Sequence, residues 1–174
     1  NNALSFNGDI SSWDTSSVTD MSHMFSYAHN FNTDISGWNT SNVADMTSMF
    51  YWADSFNGDI SGWDTSRVNH MVGMFNYATN FNNGKLKGQS YTFDWNVLRC
   101  ENMNSMFANA TSFNGDISSW KAEPINLYYS MVSMFENATS FNGNLDCWDT
   151  RTSNPIDYKD MFIGSKIGNS KNDP

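Results

Sequence analysis

Residues 5–25 read SFNGDISSWDTSSVTDMSHMF, residues 30–50 read NFNTDISGWNTSNVADMTSMF, and residues 55–75 read SFNGDISGWDTSRVNHMVGMF. Self-similarity at a fixed period marks a repeat architecture, in which each unit buries its apolar face only against its neighbours. The closing Met-Phe pair anchors six copies, at Phe25, Phe50, Phe75, Phe107, Phe135 and Phe162. A second column holds Phe6, Phe31, Phe56, Phe81, Phe113 and Phe141, and a third holds Trp13, Trp38, Trp63, Trp95, Trp120 and Trp148.

Within one copy the pattern changes period. Val18, Met21, Met24, Phe25 and Ala28 share one face of a 3.6-residue period, and Thr15, Ser16 and Ser17 before them are good N-cap types. Asp20, three residues after Ser17, completes an arrangement like a capping box. The spacing predicts a helix over about residues 17–28. The DISSW stretch reads as a brief strand of uncertain register, because Ile10 and Trp13 differ in parity. The expected fold class is therefore α/β: an LRR-like solenoid of six repeats of about 25 residues, each a short strand plus a short helix. It forms one domain over residues 1–163 with a polar tail at 164–174, and the pattern reads as part of a longer array.

Residues 6–28, FNGDISSWDTSSVTDMSHMFSYA, resemble the repeat of BspA-like leucine-rich-repeat surface proteins. The form is the Phe-Asn-x-Asp-Ile-Ser-x-Trp / Met-x-x-Met-Phe variant of bacterial surface lipoproteins, and the likeness covers about residues 5–163. The resemblance implies an extracellular or cell-surface module used in adhesion or protein binding, without catalysis.

Composition agrees with a packed, non-catalytic module. The 13 Phe, 7 Trp and 11 Met supply a core, while a net charge of −9 argues against nucleic acid and against anionic membrane surfaces. No apolar run is long enough for a membrane span. Cys100 and Cys147 sit at different repeat positions and do not make a disulfide framework. His23, His29 and His70 lack metal-ligand spacing, no nucleophile, phosphate-binding or zinc motif occurs, and the carboxylates recur as repeat positions. No enzyme is expected.

The repeat columns carry the functional candidates. Asn7, Asn32, Asn57, Asn82, Asn114 and Asn142 suit a structural amide ladder between units. Asp9, Asp34, Asp59 and Asp116 form an acidic column whose carboxylates need solvent, turn N–H donors or a Ca²⁺ ion, although EF-hand spacing is absent; no other cofactor is expected. Tyr27, Tyr51, Trp52 and Tyr77 lie off the core stripe, as peripheral packing or as a contact patch for a protein or a sugar ring. Lys85 and Lys87 stand in a seven-residue insertion between Phe81 and Trp95, and further insertions follow Trp120 and Trp148. Asn39, Asn109 and Asn137 head N-glycosylation sequons.

The function expected is protein or glycan binding at a surface or in secretion. One alternative is a building block that self-associates end to end into a filament or coat. A minor one is ice binding through Thr15, Thr40 and Thr65.

Overall fold

The computed structural model describes residues 3–120, 131–143, 145 and 159–167. Trp148, Cys147, the insertion after Trp148 and the insertion after Trp120 lie outside these, as do residues 168–174 of the expected tail.

The α/β expectation is overturned. Among the described residues there is no α-helix, and the only strands are β1 (Tyr91–Thr92) and β2 (Gly115–Asp116), paired in parallel. Three isolated parallel bridges, Asp20↔Asp45, Asp45↔His70 and His70↔Asn102, complete the extended pairing. Neither the helix over 17–28 nor the strand at DISSW forms, so an LRR-like solenoid with a strand and a helix per repeat is not the fold. What repeats is a rung made of consecutive turns, stacked in register on the next copy.

The segment ending in Met-Phe shows how this works. Met24, Ser26 and Ala28 donate their N–H groups back to Met21, His23 and Phe25, each an i→i+3 turn. Met21, His23, Phe25 and Tyr27 instead donate forward, to the carbonyls of Asp45, Thr47, Met49 and Tyr51 in the next rung at 2.7–2.9 Å. The same alternation recurs from Met46 to Trp52 and from Met71 to Tyr77. Successive i→i+3 turns put every third or fourth residue inside, so they imitate helical periodicity in the sequence.

A helix loses here for identifiable reasons. The segment is short, and a short isolated helix is marginal in water. It is rich in Ser, Thr, Asn and Asp, which bond their own backbone. It also has left-handed φ values at two positions per rung: His23, Ser48, Gly73, Ser105, Ser133 and Asp160 at one, and Tyr27, Trp52, Tyr77, Asn109, Asn137 and Gly164 at the other.

Asx turns fix most of the remaining corners. Up to three positions per rung carry Asp or Asn whose Oδ1 accepts the N–H of residue i+2, at 2.8–3.1 Å: Asp9, Asp34, Asp59 and Asp116; Asp14, Asn39, Asp64 and Asn96; Asp20, Asp45 and Asn102. This is the local geometry for which Asp and Asn are favoured in turns.

The core lies inside these corners. Phe25, Phe50, Phe75, Phe107 and Phe135 stack at 5.4–5.6 Å, and each packs at 3.8–4.0 Å against a ring of the second Phe column. The Trp bodies are buried from Trp38 to Trp120, and each indole N–H donates to a carbonyl of the preceding rung: Ile10, Ile35, Ile60 and Phe93. Trp13, on the first rung, is 53% exposed. The Asn ladder is continuous: the N–H of Asn32, Asn57, Asn82, Asn114 and Asn142 each meets the Oδ1 of the preceding Asn at 2.8–2.9 Å.

Candidate functional site

Repetition leaves few places where one part of the surface differs from another. The aromatic candidates form the clearest. Tyr27, Trp52 and Tyr77 occupy the same position in three successive rungs, with φ of 60°, 57° and 61°. The Trp52 and Tyr77 rings stack at 4.3 Å, and Tyr27 lies nearly parallel to Trp52 at 6.3 Å. Tyr51 stands edge-on to both Tyr27 and Tyr77, at 5.2 and 6.4 Å. All four rings are half-buried. The Tyr51 hydroxyl beside it pushes the Tyr27 phenol above its usual value. The structure thus gathers all four residues into one patch, without the helix on which the sequence pattern had set them.

Two further residues join the patch. The His29 imidazole packs edge-on to Trp52 at 6.2 Å, and its Nδ1 lies 2.7 Å from Asp54 Oδ2. His29 and Asp54 are 25 positions apart in one repeat column, and that spacing was the available signal.

The backbone is left-handed at this position in every rung, and the residue types that fill it are what set the patch apart. For an L-residue other than Gly, Asn or Asp this conformation costs about 1–2 kcal/mol. The fourth, fifth and sixth rungs fill the position with Asn109, Asn137 and Gly164, the types that tolerate it. Asn137 Nδ2 donates to Asn109 Oδ1 at 3.1 Å and Asn109 Nδ2 donates to Asn76 Oδ1 at 3.4 Å. The same face is aromatic in its first part and an amide ladder in its second. Two sequon asparagines are therefore tied into that ladder, whereas Asn39 is an exposed Asx-turn residue whose Oδ1 accepts from Ser41.

The acidic column is a set of turn carboxylates. Asp9 is held below its usual value by the Ser11 hydroxyl and N–H, and Asp34 by the Ser36 N–H and hydroxyl against the charges of Asp59 and Asp9. Asp59 is lowered by the Ser61 hydroxyl against its own partial desolvation, with help from the Ser61 N–H, Lys85 and Asn83. Asp116 accepts the Ser118 N–H in the same way. Among the described residues no three His, Cys, Asp or Glu side chains gather into a metal site.

The insertion packs back on the stack. Asn83 Oδ1 accepts the Ile60 N–H at 2.8 Å, Asn57 Nδ2 donates to the Lys85 carbonyl at 3.1 Å, and Gly88 N–H donates to the Ser112 carbonyl at 3.1 Å. Lys85 is half-buried and Lys87 exposed. Tyr91 carries the one buried side-chain polar atom, among the described residues, without a hydrogen-bond partner, and burial pushes its phenol upward. Cys100 is a free thiol, pushed up to about 12 by burial. Thr15, Thr40 and Thr65 are buried, and their hydroxyls donate to the carbonyls of Asn39, Asp64 and Asn96. That ladder does not present its hydroxyls to solvent.

Among the described residues there is no helix long and apolar enough to cross a membrane. No curated protein matches the chain, and no solved structure does. The family described as "Mycoplasma protein of unknown function, DUF285" matches it twice, over residues 1–88 and 85–173, so that the two matches meet in the insertion holding Lys85 and Lys87. On matches that span nearly its whole length, the chain belongs to that family.

Proposed function

We propose that this protein is a non-enzymatic binding module of a cell-surface or secreted protein, and that it engages a protein or a glycan through Tyr27, Tyr51, Trp52 and Tyr77. One observation carries the reading. Three rungs hold Tyr, Trp and Tyr in a backbone conformation that disfavours them, where the other three hold Asn, Asn and Gly. Strained backbone positions concentrate at functional sites. Half-exposed aromatics are the side chains that contribute most at interfaces. The likeness to the BspA-like surface repeat supports the location, and the acidic surface supports neutral or basic partners over nucleic acid.

The test is a surface plasmon resonance panel of immobilised glycans and purified extracellular proteins, run with the wild type and with Trp52→Asn. The variant places at Trp52 the residue that the fourth and fifth rungs already use there. At least one wild-type interaction should weaken by about tenfold or more in the variant, the effect of losing an interfacial aromatic anchor. A panel whose interactions are all indifferent to the substitution removes the patch as the binding surface.

A further inference from the structure

We propose that copies of this chain stack end to end, the last rung of one seated on the first rung of the next, in the register that neighbouring rungs within the chain already use. The proposal concerns the two ends of the stack and stands apart from the aromatic patch.

The first observation is a set of unmet groups on the first rung. Inside the stack, the carbonyls of Thr47, Met49 and Tyr51 accept the N–H groups of His23, Phe25 and Tyr27 at 2.7–2.9 Å. The equivalent carbonyls of the first rung, on Ser22, Met24 and Ser26, accept a hydrogen bond from no described residue. Two donors are unmet beside them. The N–H groups of Asn32, Asn57, Asn82, Asn114 and Asn142 each reach an Oδ1 of the preceding rung, but that of Asn7 has no described partner. The indoles of Trp38, Trp63, Trp95 and Trp120 each reach a carbonyl of the preceding rung, but that of Trp13 does not. Apolar surface lies open with these groups: Trp13 and Met24 are exposed, whereas Trp38 and Met49, one rung on, are buried.

The second observation is that the last rung carries the counterparts. Ser133, Phe135 and Asn137 donate to the carbonyls of Lys159, Met161 and Ile163, which places Asp160, Phe162 and Gly164 at the positions of His23, Phe25 and Tyr27. The N–H groups of Asp160, Phe162 and Gly164 have no described acceptor. Asn142 Oδ1 and the Leu145 carbonyl stand where Asn7 Oδ1 and the Ile10 carbonyl stand in the first copy, and they accept from no described residue.

A last rung laid on a first rung therefore pairs both sets. Asp160, Phe162 and Gly164 donate to the carbonyls of Ser22, Met24 and Ser26, while Asn7 N–H and the Trp13 indole donate to Asn142 Oδ1 and the Leu145 carbonyl. Each of these bonds copies one that already exists between rungs of a single chain. An edge of unpaired backbone groups is a template for another chain, and here the matching edge is the opposite end of the same molecule. The two surfaces differ from each other, so the contact is heterologous and every copy added leaves the same open end behind it.

The experiment is sedimentation velocity on the full chain across a wide range of concentration, with thermal melting as the folding control. Wild type should form species that grow with concentration and do not stop at a fixed stoichiometry. Trp13→Lys, a change at an exposed position, should stay monomeric, and when mixed with wild type it should shorten the wild-type species, because its intact last rung still occupies a first rung. Asn142→Ala, at the other end, removes one acceptor and should weaken association by about two- to tenfold. A wild type that is monomeric at every concentration overturns the proposal. A plateau at a dimer overturns the open head-to-tail contact. Unchanged assembly in Trp13→Lys or in Asn142→Ala overturns the register.

Discussion

The first three rungs and the last three share one hydrogen-bonding scheme and one aromatic core, yet fill one of their two left-handed positions in opposite ways. Residues 6–81 place Tyr27, Trp52 and Tyr77 there, and the later rungs place Asn109, Asn137 and Gly164. At this position the later rungs use residue types that tolerate the conformation, although the other left-handed position holds Ser48, Ser105 and Ser133 in both halves. The earlier ones show three departures, on adjacent rungs and on one face. The corners differ as well. Asp9, Asp14, Asp20, Asp34, Asp59 and Asp64 lie early in the chain and are held below their usual value, with Asn39 among them at one corner, whereas Asn96 and Asn102 take equivalent corners later beside Asp116. A repeat protein thus shows where its rungs differ by comparison with itself.

The shared core is the place to break the comparison most severely. Phe50→Ala and Phe135→Ala each empty a fully buried ring position between stacked neighbours. Each should cost about 3–5 kcal/mol in urea unfolding. A loss below about 1 kcal/mol at either one would show that the two halves do not share a core of equal quality.

The amide ladder gives the next effect. Asn57 Oδ1 accepts both the Asn82 and the Gly84 N–H groups, and Asn82 is fully buried. Asn57→Ala leaves the buried donor unsatisfied and should cost about 1–3 kcal/mol. Asn32→Ala, whose Oδ1 serves the less buried Asn57, should cost less by the same unfolding measurement. Equal costs would mean that the insertion adds nothing to the ladder.

Exchanging the left-handed residues sharpens the contrast directly. Asn109→Trp puts a disfavoured side chain where an amide now bonds Asn76, and should destabilise by about 1–2 kcal/mol. Trp52→Asn should shift the melting temperature by only a few degrees, since lost ring stacking and relieved backbone strain oppose each other. If Asn109→Trp were neutral, the aromatic residues would carry no strain and the argument for selection on the patch would fail.

The smallest effect is that of acid. A carboxylate held below the ordinary value of 3.8 stabilises the fold above that pH, and its contribution is lost as the pH falls through the folded value. Six such groups lie between Asp9 and Asp64. Hydrogen-exchange protection, corrected for the pH dependence of the intrinsic rate, should therefore fall in the first rungs before the later ones as the pH drops below about 3.8. A uniform loss of protection along the stack would show that the Asx turns do not govern the difference.

Much of this was legible in the sequence. The Phe and Trp columns announced the core, and the Asn column announced the ladder, because side chains at identical register must meet their own kind in the next copy. The helix was misread because Val18, Met21, Phe25 and Ala28 satisfy a helical period and an i→i+3 turn series equally well. What separates the two is the direction of alternate N–H groups, which no residue type encodes. The left-handed column could have been found by aligning the copies. Tyr27, Trp52 and Tyr77 carry no backbone signal individually, but Asn109, Asn137 and Gly164 beneath them do. The patch was legible as a set of off-stripe aromatics, while its strain and the His29–Asp54 pair needed coordinates.

The forward-pointing N–H groups have an electrical consequence. In an ordinary β-sheet, strand dipoles largely cancel. Here four peptide groups in each of the first three rungs, Met21 to Tyr27 and their equivalents, point their N–H bonds in one sense, from each rung to the next. Two N–H groups between the same rungs point the other way, Ala44 to Thr19 and Ser55 to His29, so the four forward bonds are opposed in part and leave a net column of aligned dipoles. The stack is polarised lengthwise, with carbonyl ends towards the first rung and N–H ends towards the last. Any rung added to either end meets a field of fixed sign, so an array of such units has a built-in direction that sequence order alone would not impose.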